Sequence, residues 1–224
     1  MSNQFDPHID ILPVPQREMW PHLSPASNLS FVLYGGTAVA LHLGHRTSID
    51  FDFFKAEPLE KGEIEASFPF VRNARTIQED KNTLVLNVPM PSGSVKLSFF
   101  GGLALGRIND PLRTRDGVLL VASLEDLLAT KLKAILDHRA EAKDYRDIVA
   151  MLTAGVSLEK ALGTFAKMYR RDPALPLRAI GFFNDGDLPS LSKPDQALLR
   201  TARDRISDVP DVHLLSGLLP ESSS

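Results

Sequence analysis

No segment constrains this chain more than Ile49-Asp50-Phe51-Asp52-Phe53-Phe54. Acid alternates with apolar at period two, the pattern of a strand with one face in a core and the other open. Both carboxylates then project from one face, roughly 6–7 Å apart along the strand. Aspartate is disfavoured in strands, and two such charges repel and lose hydration where they are half-buried. A divalent cation between them relieves both costs. Hard oxygen ligands favour Mg²⁺ or Mn²⁺ over zinc. The alternative reading is a solvated strand face that carries two acids.

Upstream, Phe31-Val32-Leu33-Tyr34 reads as a buried strand ended by Gly35-Gly36. A short helix is expected over 37–43, closed by Gly44. Glycines at a strand-to-helix junction let a phosphate approach the backbone, and the free N–H groups of the helix start, including that of Thr37, point at it. Gly-Gly also serves a plain tight turn. His45 and Arg46 follow the cap and precede the acid strand, where they either contact a phosphate or pair with Asp50. A cation beside a phosphate-cradling helix start is the equipment of phosphoryl or nucleotidyl transfer. His42 reads as a packed or surface histidine on the short helix.

Prolines at 7, 13, 15, 21 and 25 make residues 1–30 a lead-in with one short helix near 16–22. A helix is expected over 58–67 and strands over 70–77, 83–90, 94–100 and 118–121. After Ser123, which opens a capping-box pattern, the periodicity turns helical. Leu124, Leu127, Leu128, Leu132, Ile135 and Leu136 form one stripe. A second helix carries Tyr145, Ile148, Val149 and Leu152. Ser157 is expected to cap a third, and Pro194 to start a fourth reaching about Ile206. The expected organisation is an α+β core with a mixed sheet at 31–122, a helical domain at 123–210 and a tail at 211–224.

Composition narrows the chemistry further. The 224 residues contain no cysteine, which excludes disulfides, thiolate catalysis and Cys-ligated metals. The net charge of −3 excludes nucleic-acid binding by bulk positive charge. The longest apolar stretch, 31–44, is too short to cross a bilayer, and the first residues lack a basic and an apolar leader region. A cytoplasmic protein without a membrane partner is expected.

The run from Leu33 to Phe54, with Gly35-Gly36-Thr37 and Asp50-x-Asp52, resembles the first motif of the nucleotidyltransferases of the AbiEii/AbiGii toxin family. That family has the polymerase-β-like nucleotidyltransferase superfold, and the resemblance extends over roughly residues 30–152. It implies a metal-dependent nucleotidyltransferase, the toxin of a type IV toxin–antitoxin pair. A nucleoside triphosphate would be the substrate, RNA (in some relatives the tRNA acceptor end) the acceptor, and an antitoxin protein the partner.

Lys131 lies on the apolar stripe of its helix, where a lysine is unexpected. Either it snorkels at the stripe's edge or it meets nucleotide phosphates; Arg139 drifts along the same row. Asp144 and Asp147 open the next helix at i, i+3, with Lys143 four residues before Asp147. Acids in a first turn also suit the helix dipole. By the resemblance, Lys131 is a triphosphate contact, and Asp144 and Asp147 position it, bind the nucleotide or act in the transfer. One departure stands out. The superfold usually carries a third metal carboxylate on a later strand, and here that position falls on Ser98, with Lys96 alternating beside it on the same face. Two further readings follow, a nucleotide- or partner-binding module without catalysis and an antibiotic-modifying transferase.

Overall fold

The computed structural model describes residues 3–137 and 141–215. The backbone divides into two compact units. One runs to Leu105 and includes Asp110–Ser123; the other comprises Gly106–Asn109 and Leu124–Leu215.

In chain order the first unit holds β1 (Gln4–Phe5), α1 (Val14–Met19), α2 (Pro25–Asn28), β2 (Val32–Tyr34), α3 (Gly35–Leu43), β3 (Asp50–Phe54) and α4 (Lys61–Ser67). β4 (Arg75–Asp80), β5 (Thr83–Met90), β6 (Gly93–Phe100), β7 (Leu112–Thr114) and β8 (Leu120–Val121) follow. Among the described residues the strands form one sheet in the order β1-β7-β8-β2-β3-β6-β5-β4. It is mixed: β3 runs parallel to β6 and antiparallel to β2. The alternation read from the sequence is realised in β3. Phe51 and Phe53 are fully buried while Asp50 and Asp52 sit half-buried on the opposite face. The core is an aromatic cluster. The Phe99 ring lies 5.2 Å from Phe31, 5.4 Å from Phe53 and 5.6 Å from Phe68. Such offset and edge contacts add to the area these rings bury.

Two expectations are corrected here. Residues 70–77 do not form one strand: Pro69–Asn73 is a 3₁₀ turn, and the strand begins only at Arg75. Pro69 at the start of that turn suits its fixed φ and missing donor. The expected helix over 58–67 starts only at Lys61. Besides the short helix α2, two strands were not anticipated, β1 and β7. They pair parallel to each other and are too short to show a period.

The second unit holds α5 (Leu124–Asp137), α6 (Ala142–Thr153), α7 (Leu158–Tyr169), α8 (Ala174–Ile180) and α9 (Lys193–Asp204). The Ser157 cap is present, its hydroxyl accepting from the Lys160 N–H at 3.1 Å. The Ser192 hydroxyl caps α9 in the same way through the Asp195 N–H. α8 had no expectation. Near the start of α5, the Asp126 carboxylate accepts the N–H groups of Ile108 at 2.9 Å and Asn109 at 3.3 Å. That bond set ties residues 106–109 to the helical unit. Most of the expected tail lies outside the described residues, as does Arg139.

His42 fastens α3 within the first unit. Its ring stacks on Phe5 at 4.0 Å, and its Nε2 donates to the Ala122 carbonyl at 2.9 Å. Burial pushes the imidazole down to about 4 despite that bond. The unfolded state therefore takes up the proton first. Stability from this group is complete above about pH 6.5 and is lost as the pH falls toward 4, at about 1.4 kcal/mol per unit. Urea unfolding at pH 7 and 4.5 should show a smaller acid-induced drop in His42→Gln than in the wild-type chain.

Candidate active site

Strand β2 delivers the chain to Tyr34, and α3 begins at once with Gly35. Gly35 has φ +75°, a conformation that side-chain-bearing residues rarely adopt. Space imposes the same choice: a Cβ at Gly35 would stand 2.6 Å from Asp52 Oδ2. The Asp52 carboxylate is thus held against the first residue of α3, where helix N–H groups have no intrahelical acceptor. Negative charge there is favoured by the helix dipole. Asp52 and Asp50 lie two residues apart on the open face of β3. Tyr34, aligned with Asp52 in the β2–β3 register, stacks on Phe54 at 4.9 Å. The other end of α3 closes at Gly44, which is left-handed at φ +62°.

Thr37 has a different surrounding from the one its place in the motif suggests. It is buried, and its hydroxyl is bonded to the Ser48 hydroxyl and to the carbonyl of Asp50. The hydroxyl therefore locks α3 to the start of β3. Arg46 directs Nη1 to the Thr47 carbonyl at 3.0 Å.

On β6 the register sets Lys96 opposite Asp50 and Ser98 opposite Asp52. Lys96 Nζ is 3.6 Å from Asp50 Oδ2, at a half-exposed pair that solvent screens. Ser98 is 2% exposed and stands beside Asp52, the position where the resemblance leads one to expect a third carboxylate. Among the described residues no group of three or more His, Cys, Asp or Glu is placed to hold a metal. The donor set is therefore two carboxylates with a neighbouring hydroxyl. That set suits Mg²⁺, which is commonly bound by one or two carboxylates and keeps water and substrate phosphate oxygens as its other ligands.

In the helical unit Lys131 is 7% exposed, so it does not snorkel. Its Nζ lies 2.6 Å from Asp144 Oδ1 and 2.7 Å from Asp147 Oδ2. The i, i+3 spacing of the two acids on α6 thus makes a fork that grips one lysine of α5. Lys143 pairs with Glu141 at 2.6 Å. Lys133 is taken by Asp137 at 2.6 Å; the bonds from Lys133 and Arg171 hold that carboxyl below its ordinary range.

Gln16 was read only as part of the short lead-in helix. It is buried on α1, and its Nε2 donates to the Ile49 carbonyl at 2.7 Å, immediately before Asp50. A buried glutamine was not separable from a surface one in so short a helix. Ser48 was missed for a related reason: its partner Thr37 is eleven residues away, across the α3–β3 loop.

A model of the family described as "Nucleotidyl transferase AbiEii toxin, Type IV TA system" matches residues 24–212. An uncharacterized protein of Aquifex aeolicus (strain VF5) is 28% identical over 159 residues, 69% of this chain and 74% of its own. Among solved structures, an antigenic nucleotidyltransferase-like protein from Paracoccidioides brasiliensis superposes with a TM-score of 0.46 at 19% identity. The match covers 75% of this chain and 95% of that one. The antibiotic-resistance factor ANT(2'')-Ia also gives 0.46, at 15% identity over 67% of this chain and 88% of its own.

Three substitutions test this geometry. Gly35→Ala should displace the Asp52 carboxylate and lower nucleotidyl transfer at least tenfold, measured by labelled product formed, while circular dichroism stays native. Removing one member of a buried ion group strands the rest, at about 3–5 kcal/mol. Lys131→Met and Asp147→Asn should each lose about that much in urea unfolding. Because the two residues are in contact, the double variant should lose less than the sum.

Proposed function

The chain belongs to the AbiEii nucleotidyl transferase toxin family and is a nucleotidyltransferase; on that premise we propose that it moves a nucleoside monophosphate from a nucleoside triphosphate to an acceptor hydroxyl, with Mg²⁺ held by Asp50 and Asp52. The observation that carries this reading is the contact of the Asp52 carboxylate with Gly35 at the start of α3. It sets a cation ligand beside backbone N–H groups able to take a phosphate.

The acceptor oxygen bonds to the α-phosphorus as the bond to the β-phosphate oxygen breaks, and pyrophosphate leaves. A bound Mg²⁺ supplies charge neutralisation at the phosphates. The chain's own residues bind and orient. The backbone of Gly35, Gly36 and Thr37 cradles phosphate oxygens, Lys96 adds positive charge beside Asp50, and Arg46 is a further phosphate contact. Thr37 and Gln16 fix the entry into β3. Positioning and charge stabilisation are the main sources of rate in such transfers.

The acceptor in this proposal is RNA, with the tRNA acceptor end as the first candidate. The biological role is that of a toxin restrained by a cognate antitoxin. No helix among the described residues is long and apolar enough to cross a membrane. Ser98 beside Asp52 favours a second reading, a module that holds nucleotide without transferring it.

Incubation with each α-labelled nucleoside triphosphate, Mg²⁺ and total RNA separates these readings. Label should pass to RNA, stop with a chelator, and fall about a hundredfold or more in Asp52→Ala. Label on small polyhydroxylated acceptors alone would overturn the RNA assignment. Tight nucleotide binding with no transfer to any acceptor would leave the module reading.

A further inference from the structure

A second cavity of about 330 Å³ lies in the first unit, beyond the far end of β3 from Asp50. Its lining includes Ser30, Lys55, Glu57, Glu60 and Glu63. Lys55 continues the alternation of β3 past Phe51 and Phe53, so its side chain is carried on the core-facing side and is 5% exposed. Among the described residues no carboxylate lies within ion-pair distance of its ammonium. Its recorded neighbour is the face of Phe31, 5.1 Å away. With no carboxylate beside it, an ammonium that lines the cavity is able to take an anionic group.

Glu57, two residues on, has the complementary deficit: its Oε2 is buried and lacks a hydrogen-bond partner. The two groups do not reach each other, and the backbone holds them apart. Lys55 N–H donates to Phe100 O at 2.9 Å, Gly102 N–H to Glu57 O at 2.6 Å, and Leu59 N–H to Asn82 Oδ1 at 3.1 Å. Ser30, also in the lining, sits at φ +63°, the strained left-handed conformation that concentrates at ligand clamps. Exposed Glu60 and Glu63 add negative charge at the cavity.

We propose that this cavity is a second ligand site, for a small zwitterion whose anionic group pairs with Lys55 and whose ammonium is taken by Glu57 and the neighbouring glutamates. A simple anion would meet three glutamates, and a simple cation would leave Lys55 unpaired. A zwitterion offers a partner to both residues, and a buried polar atom without one, as at Glu57, is rare enough to require an explanation. The chemistry fits an α-amino acid or an aminoalkyl phosphate. The site shares no residue with the nucleotide site proposed above and stands independently of it.

Thermal unfolding of the full chain tests the assignment with glycine, L-serine, L-lysine and O-phosphoethanolamine. Acetate, inorganic phosphate and ethylammonium serve as single-charge controls. At saturating concentration at least one zwitterion should raise the Tm by about 2–4 °C or more, and no control should match it. Response to the amino acids or to the phosphate compound identifies which anionic group the site takes. Lys55→Met should abolish the shift. Should that variant not fold, Glu57→Gln serves instead and should weaken binding at least tenfold by calorimetric titration. No shift with any zwitterion, equal shifts with the controls, or a shift unchanged in these variants would overturn the proposal.

Discussion

The Asp52 carboxylate lies so close to Gly35 that no side chain fits between them. Much of the first unit can be understood as what holds that contact in place. β2 must end at Tyr34 and turn directly into α3, which only a residue tolerant of positive φ allows. β3 must lie beside β2 in a register that aligns Asp52 with Tyr34. Phe51 and Phe53 set that register, because a slip of one residue would exchange the buried phenylalanines for the acids. The aromatic cluster around Phe99 thus does more than exclude water. It makes the open face of β3 the acidic one.

Two ways of carrying charge appear in the same chain. On β3 the acids are half-exposed, and Lys96 at 3.6 Å offsets Asp50 only partly. That surface retains the capacity to meet a cation and a polyphosphate. In the helical unit Lys131 and its two aspartates are nearly closed off from solvent, and the ammonium is gripped from both sides. A buried group of this kind adds little net stability over apolar packing, yet it is costly to break. Its consequence is specificity: α5 and α6 have one arrangement in which both carboxylates meet the ammonium.

What was legible in the sequence follows from how far each signal reaches. The Asp-x-Asp alternation, the double glycine and the apolar stripe of α5 depend on neighbours within a few residues, and all three are present in the structure. Ser98 at the position opposite Asp52 was legible too, because β3 and β6 both carry clear alternation. The strand expected over 70–77 failed at its first half, where Pro69 initiates a 3₁₀ turn that the apolar residues alone did not reveal. β1 and β7 have too few residues to establish a period. The fork around Lys131 was visible as an anomaly, a lysine on an apolar stripe, and its pairing with Asp144 and Asp147 only as one of three roles that the resemblance implied.

By itself the sequence determined the kinds of chemistry available. These are hard oxygen ligands on one strand face, a glycine junction able to face a phosphate, and no thiol. It also determined the local periodicities that place those groups on strands and helices. Only the tertiary structure decided which groups meet: Asp52 with Gly35, Thr37 with Ser48 and the Asp50 carbonyl, Gln16 with Ile49, and Lys131 with both Asp144 and Asp147. It alone left Lys55 and the Glu57 carboxylate without complementary partners beside one cavity. The physical reason is range. Backbone propensity and hydrophobic period act over one or two turns, whereas ion pairs and side-chain hydrogen bonds here join residues separated by tens of positions or by whole elements. Packing and register alone bring them within three ångströms or so, and at that range burial turns a weak screened attraction into a fixed geometry.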